Sequence, residues 1–170
     1  MSVYRPVFEA LDQAGVRFVV VGGLAVVLHG RARFTADVDL VLDLSPQQAG
    51  AAIDALEGLG LRPRLPVAAS DFADPQRRQQ WIEERGMDVF TLWDPSNPLL
   101  VIDLFARAPL PFRELWAEAC VKEFVGLQVK VASLQHLIAM KRRAGRAIDL
   151  EDLRFLETLS ETGEEKDDGS

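Results

Sequence analysis

Residues 17–44 read RFVVVGGLAVVLHGRARFTADVDLVLDL, and this stretch decides the fold. Residues 17–21 are mostly aromatic and β-branched, which predicts a short buried strand that ends at two glycines. Residues 24–28 can form a brief helix, and the alternation of acidic and apolar residues over 37–44 predicts a second strand. The stretch therefore predicts a strand–helix–strand unit in which two acids share one face of the second strand.

The segments on either side continue as helices and strands. Apolar spacing and capping residues predict the helices, and short apolar runs between turn residues predict the strands. The expected helices lie near 2–14, 46–59, 75–85, 112–119, 134–144 and 150–159, and the expected strands at 87–92, 99–105 and 128–131. We therefore predict one α/β (α+β) domain over residues 1–160, whose C-terminal helices span about 133–160.

The charge of the chain is unevenly distributed. Its 170 residues include 19 basic and 26 acidic side chains, for a formal net charge of −7. Residues 161–170 hold five of these acids with one lysine and contain no apolar residue, so we expect a disordered acidic tail. The excess of acidic residues argues against a protein that binds nucleic acid through a positive charge spread over its whole surface.

The remaining composition indicates a reducing compartment. Cys120 is the single cysteine, which excludes an internal disulfide and a cysteine-based zinc site. The first residues lack the basic and then apolar pattern of a secretory signal peptide, and no apolar run is long enough to span a bilayer. We therefore expect a cytoplasmic protein with no membrane partner.

The two glycines after the first strand allow two interpretations. Gly22 and Gly23 let the backbone approach a bulky anion closely, and the N–H groups of the following helix would point at that anion. Glycine pairs are also common in tight turns that bind nothing. Taken alone, the pair favours the turn.

Three aspartates form the candidate catalytic and metal site. Asp37 and Asp39 lie two apart in a strand, so their carboxylates share a face and repel each other unless a cation lies between them. Asp103 lies in the apolar run 99–105, where an unpaired carboxylate is costly, and a metal such as Mg²⁺ shared with Asp37 and Asp39 would resolve that cost. The alternatives are a solvated strand face for the first pair and an arginine partner for Asp103. Asp88, on a less apolar strand, is the rival third carboxylate.

The combined pattern resembles the nucleotidyltransferase superfamily that includes DNA polymerase β. The signature of that superfamily is a glycine followed by glycine or serine and then, at a restricted distance, by Asp-hydrophobic-Asp or Asp-hydrophobic-Glu. The closest resemblance is to the small AbiE-type toxin nucleotidyltransferases, which also share a His-Gly and an Arg-x-Thr-x-Asp segment. The matching residues are Gly22, Gly23, Ala25, His29, Gly30, Arg33, Thr35, Asp37 and Asp39, and a second block matches at 129–134, 137–138, 141, 144–146, 149 and 152.

The resemblance implies a fold, an activity and a set of roles. It implies a mixed sheet flanked by helices and the transfer of an NMP from an NTP such as ATP. It implies two Mg²⁺ ions, with Mn²⁺ as the alternative, held by Asp37, Asp39 and Asp103. The nucleotide-binding residues that it implies are Gly22, Gly23, Arg33, Thr35, Lys141 and Arg146. The implied partners are a tRNA or protein acceptor and the cognate antitoxin of a toxin–antitoxin or phage-defence pair.

Three further positions bear on this interpretation. Many relatives have a serine after the first glycine, where this chain has Gly23. A catalytically silent module that binds a nucleotide or a partner is therefore the alternative function. Asp149 and Asp152 lie at the start of a helix, where capping and dipole effects alone explain them.

Overall fold

Seven strands form one mixed sheet in the computed structural model, which describes residues 2–167 and, over 164–167, the backbone alone. The strands are β1 (Phe18–Val21), β2 (Val38–Leu42), β3 (Arg62–Pro63), β4 (Val89–Asp94), β5 (Asn97–Phe105), β6 (Cys120–Phe124) and β7 (Leu127–Val131). The helices are α1 (Arg5–Gln13), α2 (Gly22–Leu28), α3 (Pro46–Gly58), α4 (Pro75–Arg85), α5 (Phe112–Glu118), α6 (Leu134–Ala144) and α7 (Ala147–Asp167). The predicted α/β class with a mixed sheet is confirmed.

The order of the strands places β2 at the centre of the sheet. The sheet runs β3-β4-β5-β2-β1-β7-β6. β2 pairs antiparallel with β1 on one side and parallel with β5 on the other, while β7 runs parallel to β1. The end of β1 therefore meets the start of β2, and the predicted acids of β2 and β5 come to the same end of neighbouring strands.

The core is apolar and holds the central strands rigidly. All four residues of β1 are buried, as the continuous apolar run predicts for an inner strand. Phe8 stacks on Phe18 and meets Phe124 edge-on, which ties α1 to β1 and β6. Phe90 stacks between two further aromatic rings, Phe72 and Trp81, on the other half of the sheet.

Two features of the structure differ from the sequence expectation. β6 was not predicted, because this edge strand alternates exposed and half-buried residues over a short, partly charged segment. Helix α7 continues through residues 161–167, where the composition predicts disorder. Adding residues to an existing helix requires less free energy than nucleating a new one. Residues 168–170, the rest of the expected tail, lie outside the described residues.

Among the described residues, no helix is both long enough and apolar enough to cross a membrane.

Candidate active site

The three predicted aspartates converge on one point of the structure. One carboxylate oxygen from each of Asp37, Asp39 and Asp103 lies within 4.8 Å of the others. Asp39 pairs with Asp103 in the parallel register of β2 and β5, and Asp37 precedes β2 by one residue on the same face. The structure therefore places together the three carboxylates expected from the sequence, in a group that could hold a metal ion. We refer to them as the triad.

Gly22 lies directly against the triad. It opens α2 with a φ of +66°, a conformation that favours glycine. A Cβ at this position would lie 2.7 Å from Asp39 Cγ and 2.9 Å from Asp39 Cβ, closer than atoms can pack. Because no side chain fits there, the backbone of the β1–α2 turn passes within contact distance of the carboxylate.

Gly22→Ala is expected to destabilise the fold about 1–3 kcal/mol more than Gly15→Ala, because the new methyl group overlaps Asp39. Gly15 is a matched control, since its φ is +67° and a Cβ there meets nothing within 4 Å. Both variants therefore carry the same backbone strain, and urea unfolding of the two measures the collision alone. Equal losses in the two variants would show that Asp39 moves aside freely.

Gly23 is required for a different reason. A Cβ at this position would lie 2.8 Å from Thr35 Oγ1 and 3.1 Å from Arg33 Nη2. The space that a serine side chain would fill is therefore occupied by the Thr35 hydroxyl, which donates a hydrogen bond to the Asp37 carbonyl oxygen at 3.0 Å. Many relatives have a serine where this chain has Gly23. Here the hydroxyl group beside the turn is supplied by Thr35, in the loop before β2.

The triad carries charge that its surroundings do not fully compensate. Burial, with the neighbouring carboxylates of Asp37 and Asp103, raises the pKa of Asp39 to about 7, against the opposing effect of Lys141 and Arg146. Burial also raises the pKa of Asp103, although its hydrogen bond from Thr91 Oγ1 at 2.5 Å acts in the other direction. Crowded oxygen donors of this kind suit a hard divalent cation, which would stabilise the ionised carboxylates.

A cleft of about 480 Å³ opens beside the triad. Gly22 and Asp39 form part of its wall, and α6 and the segment after it form another part. The basic residues in its lining are Arg107, Lys141, Arg143 and Arg146, and the acidic ones are Asp39, Asp88 and Asp149. The predicted Lys141 and Arg146 thus line the same cleft as Gly22. Asp88 is exposed and lies outside the triad.

The cleft wall is continuous with an ionic cluster. Lys141, Arg146 and Asp149 of this cluster line the cleft, and its other members are Arg31, Arg33 and Asp152. Both acids are fully buried. Asp152 is paired with Arg31, Arg33 and Lys141, the last at 2.9 Å. Asp149 is paired with Lys141 at 2.8 Å and with Arg146 at 2.7 Å. The cluster therefore joins the α2–β2 loop to α6 and α7.

This ionic cluster corrects one sequence interpretation. Asp149 and Asp152 are not explained by capping and dipole effects alone, because they neutralise basic residues from two other segments. Glu151 also pairs with Arg31, so four basic side chains face three acids, and one positive charge is left over. The signal in the sequence was the pair of acids spaced i, i+3, which places both on one face of α7.

The stability of the protein is expected to depend on Asp149 at low pH. Burial disfavours the charged carboxylate, but hydrogen bonds from Arg146 and Lys141 outweigh it and lower the pKa of Asp149 to about 2. The pKa of Asp149 in the unfolded chain is about 3.9, so above this pH its ionised carboxylate stabilises the folded protein by about 2–3 kcal/mol. This stabilisation is lost as the pH falls from about 4 toward 2. Urea unfolding of wild type and Asp149→Asn should show a stability difference that shrinks over this range; a constant difference would contradict it.

Comparison of the sequence with protein families gives one match across most of the chain. The family described as "Nucleotidyl transferase AbiEii toxin, Type IV TA system" matches residues 7–165. This range includes the triad, both glycines and the whole ionic cluster. No curated protein sequence matches the chain.

Several solved structures share the fold. ANT(2")-Ia, in complex with adenylyl-2"-tobramycin, is 17% identical with a TM-score of 0.59, and the alignment covers 97% of each chain. The lincosamide antibiotic adenylyltransferase LnuA, bound to lincomycin, is 14% identical with a TM-score of 0.59, over 89% of this chain and 92% of LnuA. A nucleotidyltransferase-like protein of Paracoccidioides brasiliensis is 18% identical with a TM-score of 0.55, over 92% and 73%.

Proposed function

Because the chain belongs to the AbiEii family of nucleotidyl transferase toxins, we propose that it transfers an NMP from an NTP to a hydroxyl group of an RNA or protein acceptor. The observation that carries the proposal is the convergence of Asp37, Asp39 and Asp103 beside a cleft whose lining includes Asp39 and four basic side chains. In-line phosphoryl transfer needs little more than positioning and compensation of charge, and these groups supply both.

We assign the triad as the ligands of two Mg²⁺ ions, with Mn²⁺ as the alternative. The donor set fits, because it consists of carboxylate oxygens within 4.8 Å of one another. When bound, such ions compensate the charge on the entering and leaving oxygens. Thr91 holds one oxygen of Asp103 through its 2.5 Å hydrogen bond, which orients that carboxylate toward the other two.

We assign the NTP triphosphate to the cleft. The turn at Gly22 brings backbone beside the triad without a side chain, which suits the close approach of a phosphate. Lys141 and Arg146 line the same cleft, and their charge already acts on Asp39. Arg33 and Thr35 support the same turn from behind Gly23. The pyrophosphate produced would therefore leave through a positively charged space.

The reaction balances without a further reactant. The acceptor oxygen forms a bond to the α-phosphorus, and the bond from that phosphorus to the oxygen bridging the β-phosphate breaks. Pyrophosphate leaves with the electron pair, and the proton of the acceptor hydroxyl passes to water. In keeping with the family's description, we propose that the protein acts as a toxin in the cytoplasm and is accompanied by a cognate antitoxin.

The experiment that tests the proposal is label transfer. Purified protein is incubated with each α-labelled NTP, Mg²⁺ or Mn²⁺, and either total RNA or a cell lysate, with a chelator added to one set. Label on a macromolecule that disappears with the chelator supports the proposal. Binding of NTP without transfer to any acceptor would instead support the catalytically silent module. Transfer that persists in the chelator would overturn the metal assignment.

A further inference from the structure

The hydroxyl group of Tyr4 lies between the two segments that carry the triad. Tyr4 directly precedes α1, and only 4% of the residue is exposed. Its Oη lies 3.2 Å from the carbonyl oxygen of Ala36 and 3.2 Å from that of Leu99. Ala36 directly precedes Asp37. Leu99 lies in β5, on the strand that carries Asp103. One side chain from the start of the chain therefore joins the loop before β2 to β5.

Asp37 needs such a link because it precedes the paired part of β2. The pairing of β1 with β2 ends at Asp39, and the parallel pairing of β2 with β5 begins at Val38. Asp37 therefore lies outside both registers, whereas Asp39 and Asp103 lie opposite each other. The hydrogen bond from Thr35 Oγ1 to the Asp37 carbonyl oxygen is local to the loop. It orders the loop itself but does not fix the loop against β5.

The Tyr4 hydroxyl group is the donor in this link. Both of its partners are carbonyl oxygens, which can only accept, so the single phenolic hydrogen is shared between Ala36 and Leu99. Burial, with the negative charge of Asp37, raises the pKa of Tyr4, so the phenol keeps its hydrogen at neutral pH. Phenylalanine has the same ring without a hydrogen to donate, so Tyr4→Phe removes the link and little else.

Helix α1 gives the link a fixed origin. The helix buries Val7, Phe8 and Leu11. Phe8 stacks on Phe18 of β1 and meets Phe124 of β6 edge-on. A side chain that is held by core packing in this way can fix the position of a loop that contacts it, because its own position does not depend on the loop.

We propose that Tyr4 is a positioning residue for the metal site. Its hydroxyl group holds the backbone before Asp37 against β5, and it thereby sets the place of the Asp37 carboxylate relative to Asp103. The inference rests on the proposed function, because it takes the triad as the ligands of the metal ions. Groups that orient a metal ligand without touching the metal commonly change metal affinity by about ten- to hundredfold when they are removed.

The test measures metal binding without turnover. Mn²⁺ is titrated into the purified protein in the absence of nucleotide, and free Mn²⁺ is followed by its electron paramagnetic resonance signal. Wild type is compared with Tyr4→Phe, Asp37→Asn and Ile53→Val. Asp37→Asn identifies the binding that depends on the triad. Ile53→Val is the control for stability, because Ile53 is buried in α3 and lies outside both the triad and the cleft lining.

We expect Asp37→Asn to abolish triad-dependent Mn²⁺ binding and Tyr4→Phe to weaken it about tenfold. Ile53→Val should leave the Mn²⁺ affinity unchanged, although it and Tyr4→Phe should each lower the Tm by about 2–4 °C. In turnover, the metal concentration that gives half the maximal rate should rise about tenfold in Tyr4→Phe, in step with the weaker binding. The kcat of this variant at saturating metal should return to near the wild-type value.

Three results would count against the inference, and they separate it from the proposed function. Unchanged Mn²⁺ affinity in Tyr4→Phe, with binding abolished in Asp37→Asn, would overturn the role of Tyr4 and leave the metal assignment intact. Equal weakening in Tyr4→Phe and Ile53→Val would show a general loosening of the fold and would also overturn that role. Wild-type protein without triad-dependent Mn²⁺ binding would overturn the metal assignment itself, and the role of Tyr4 with it.

Discussion

Asp39→Asn is expected to reduce nucleotidyl transfer by about a thousandfold or more, because it removes a central oxygen donor from the triad. Metal ions at such sites stabilise the charge of the transition state by several kcal/mol, and each 1.36 kcal/mol is tenfold in rate. The backbone at residue 39 and its pairing with β1 and β5 stay in place, since asparagine has nearly the same shape as aspartate. Transfer rates at saturating NTP measure the effect directly.

The same substitution is expected to stabilise the metal-free protein above pH 7. Burial and the neighbouring carboxylates raise the pKa of Asp39 in the folded protein to about 7. Above pH 7 the ionised carboxylate therefore destabilises the folded state, and this destabilisation decreases as the pH falls below 7. A neutral amide removes this cost, and the Tm should rise by about 2–4 °C for each kcal/mol relieved. A Tm that rises while activity is lost excludes unfolding as the cause of inactivity.

Asp88→Asn is the control for this experiment. Asp88 lines the same cleft and carries the same charge, but it is exposed and lies outside the triad. We expect activity within a fewfold of wild type in this variant, whereas Asp103→Asn should be inactive. Loss of activity in Asp88→Asn with retention in Asp103→Asn would transfer the third metal ligand to Asp88.

Asp152→Asn is expected to lower the free energy of unfolding by about 3–5 kcal/mol, the usual cost of removing one partner from a buried ion pair. Asp152 is fully buried and is paired with Arg31, Arg33 and Lys141. An amide in its place leaves three cations without their shared counter-charge and directs an N–H group toward them. Since domains are commonly stable by about 5–15 kcal/mol, this loss should be plain in urea unfolding.

Glu151→Gln provides the comparison for Asp152→Asn. Glu151 is the adjacent residue and also binds Arg31, at 3.0 Å, but 61% of its side chain is exposed. An exposed ion pair contributes about 0–1 kcal/mol, so this variant should unfold almost like wild type. A loss in Glu151→Gln as large as that in Asp152→Asn would show that burial of the partner is not the cause.

The part of the site that lies close in sequence could be predicted. Gly22 and Asp39 belong to one strand–helix–strand stretch, and the spacing alone brings the turn to the start of the second strand. The apolar run around Asp103 predicts an inner strand buried on both faces. β5 is indeed an inner strand beside β2, but only alternate residues of it are buried and Leu99 is exposed. The exact partner of Asp103, Asp39, needed the register that only the structure supplies.

The ionic cluster could not be predicted in the same way. Arg31 and Asp152 lie 121 residues apart. The i, i+3 spacing of Asp149 and Asp152 places both acids on one face of α7, but it does not show whether that face is buried or which basic residues it meets.

The contact between Asp152 and the arginines before β2 also sets an order of events during synthesis. On the ribosome, Arg31 and Arg33 emerge long before α7, and until α7 arrives they lack the carboxylate that holds them behind Gly23. The nascent chain can form β1 and β2 before α7 is translated, but the part of the cleft wall that contains Lys141 and Arg146 gains its buried counter-charges only when Asp149 and Asp152 arrive. A chain cut off before α7 would therefore lack a formed cleft.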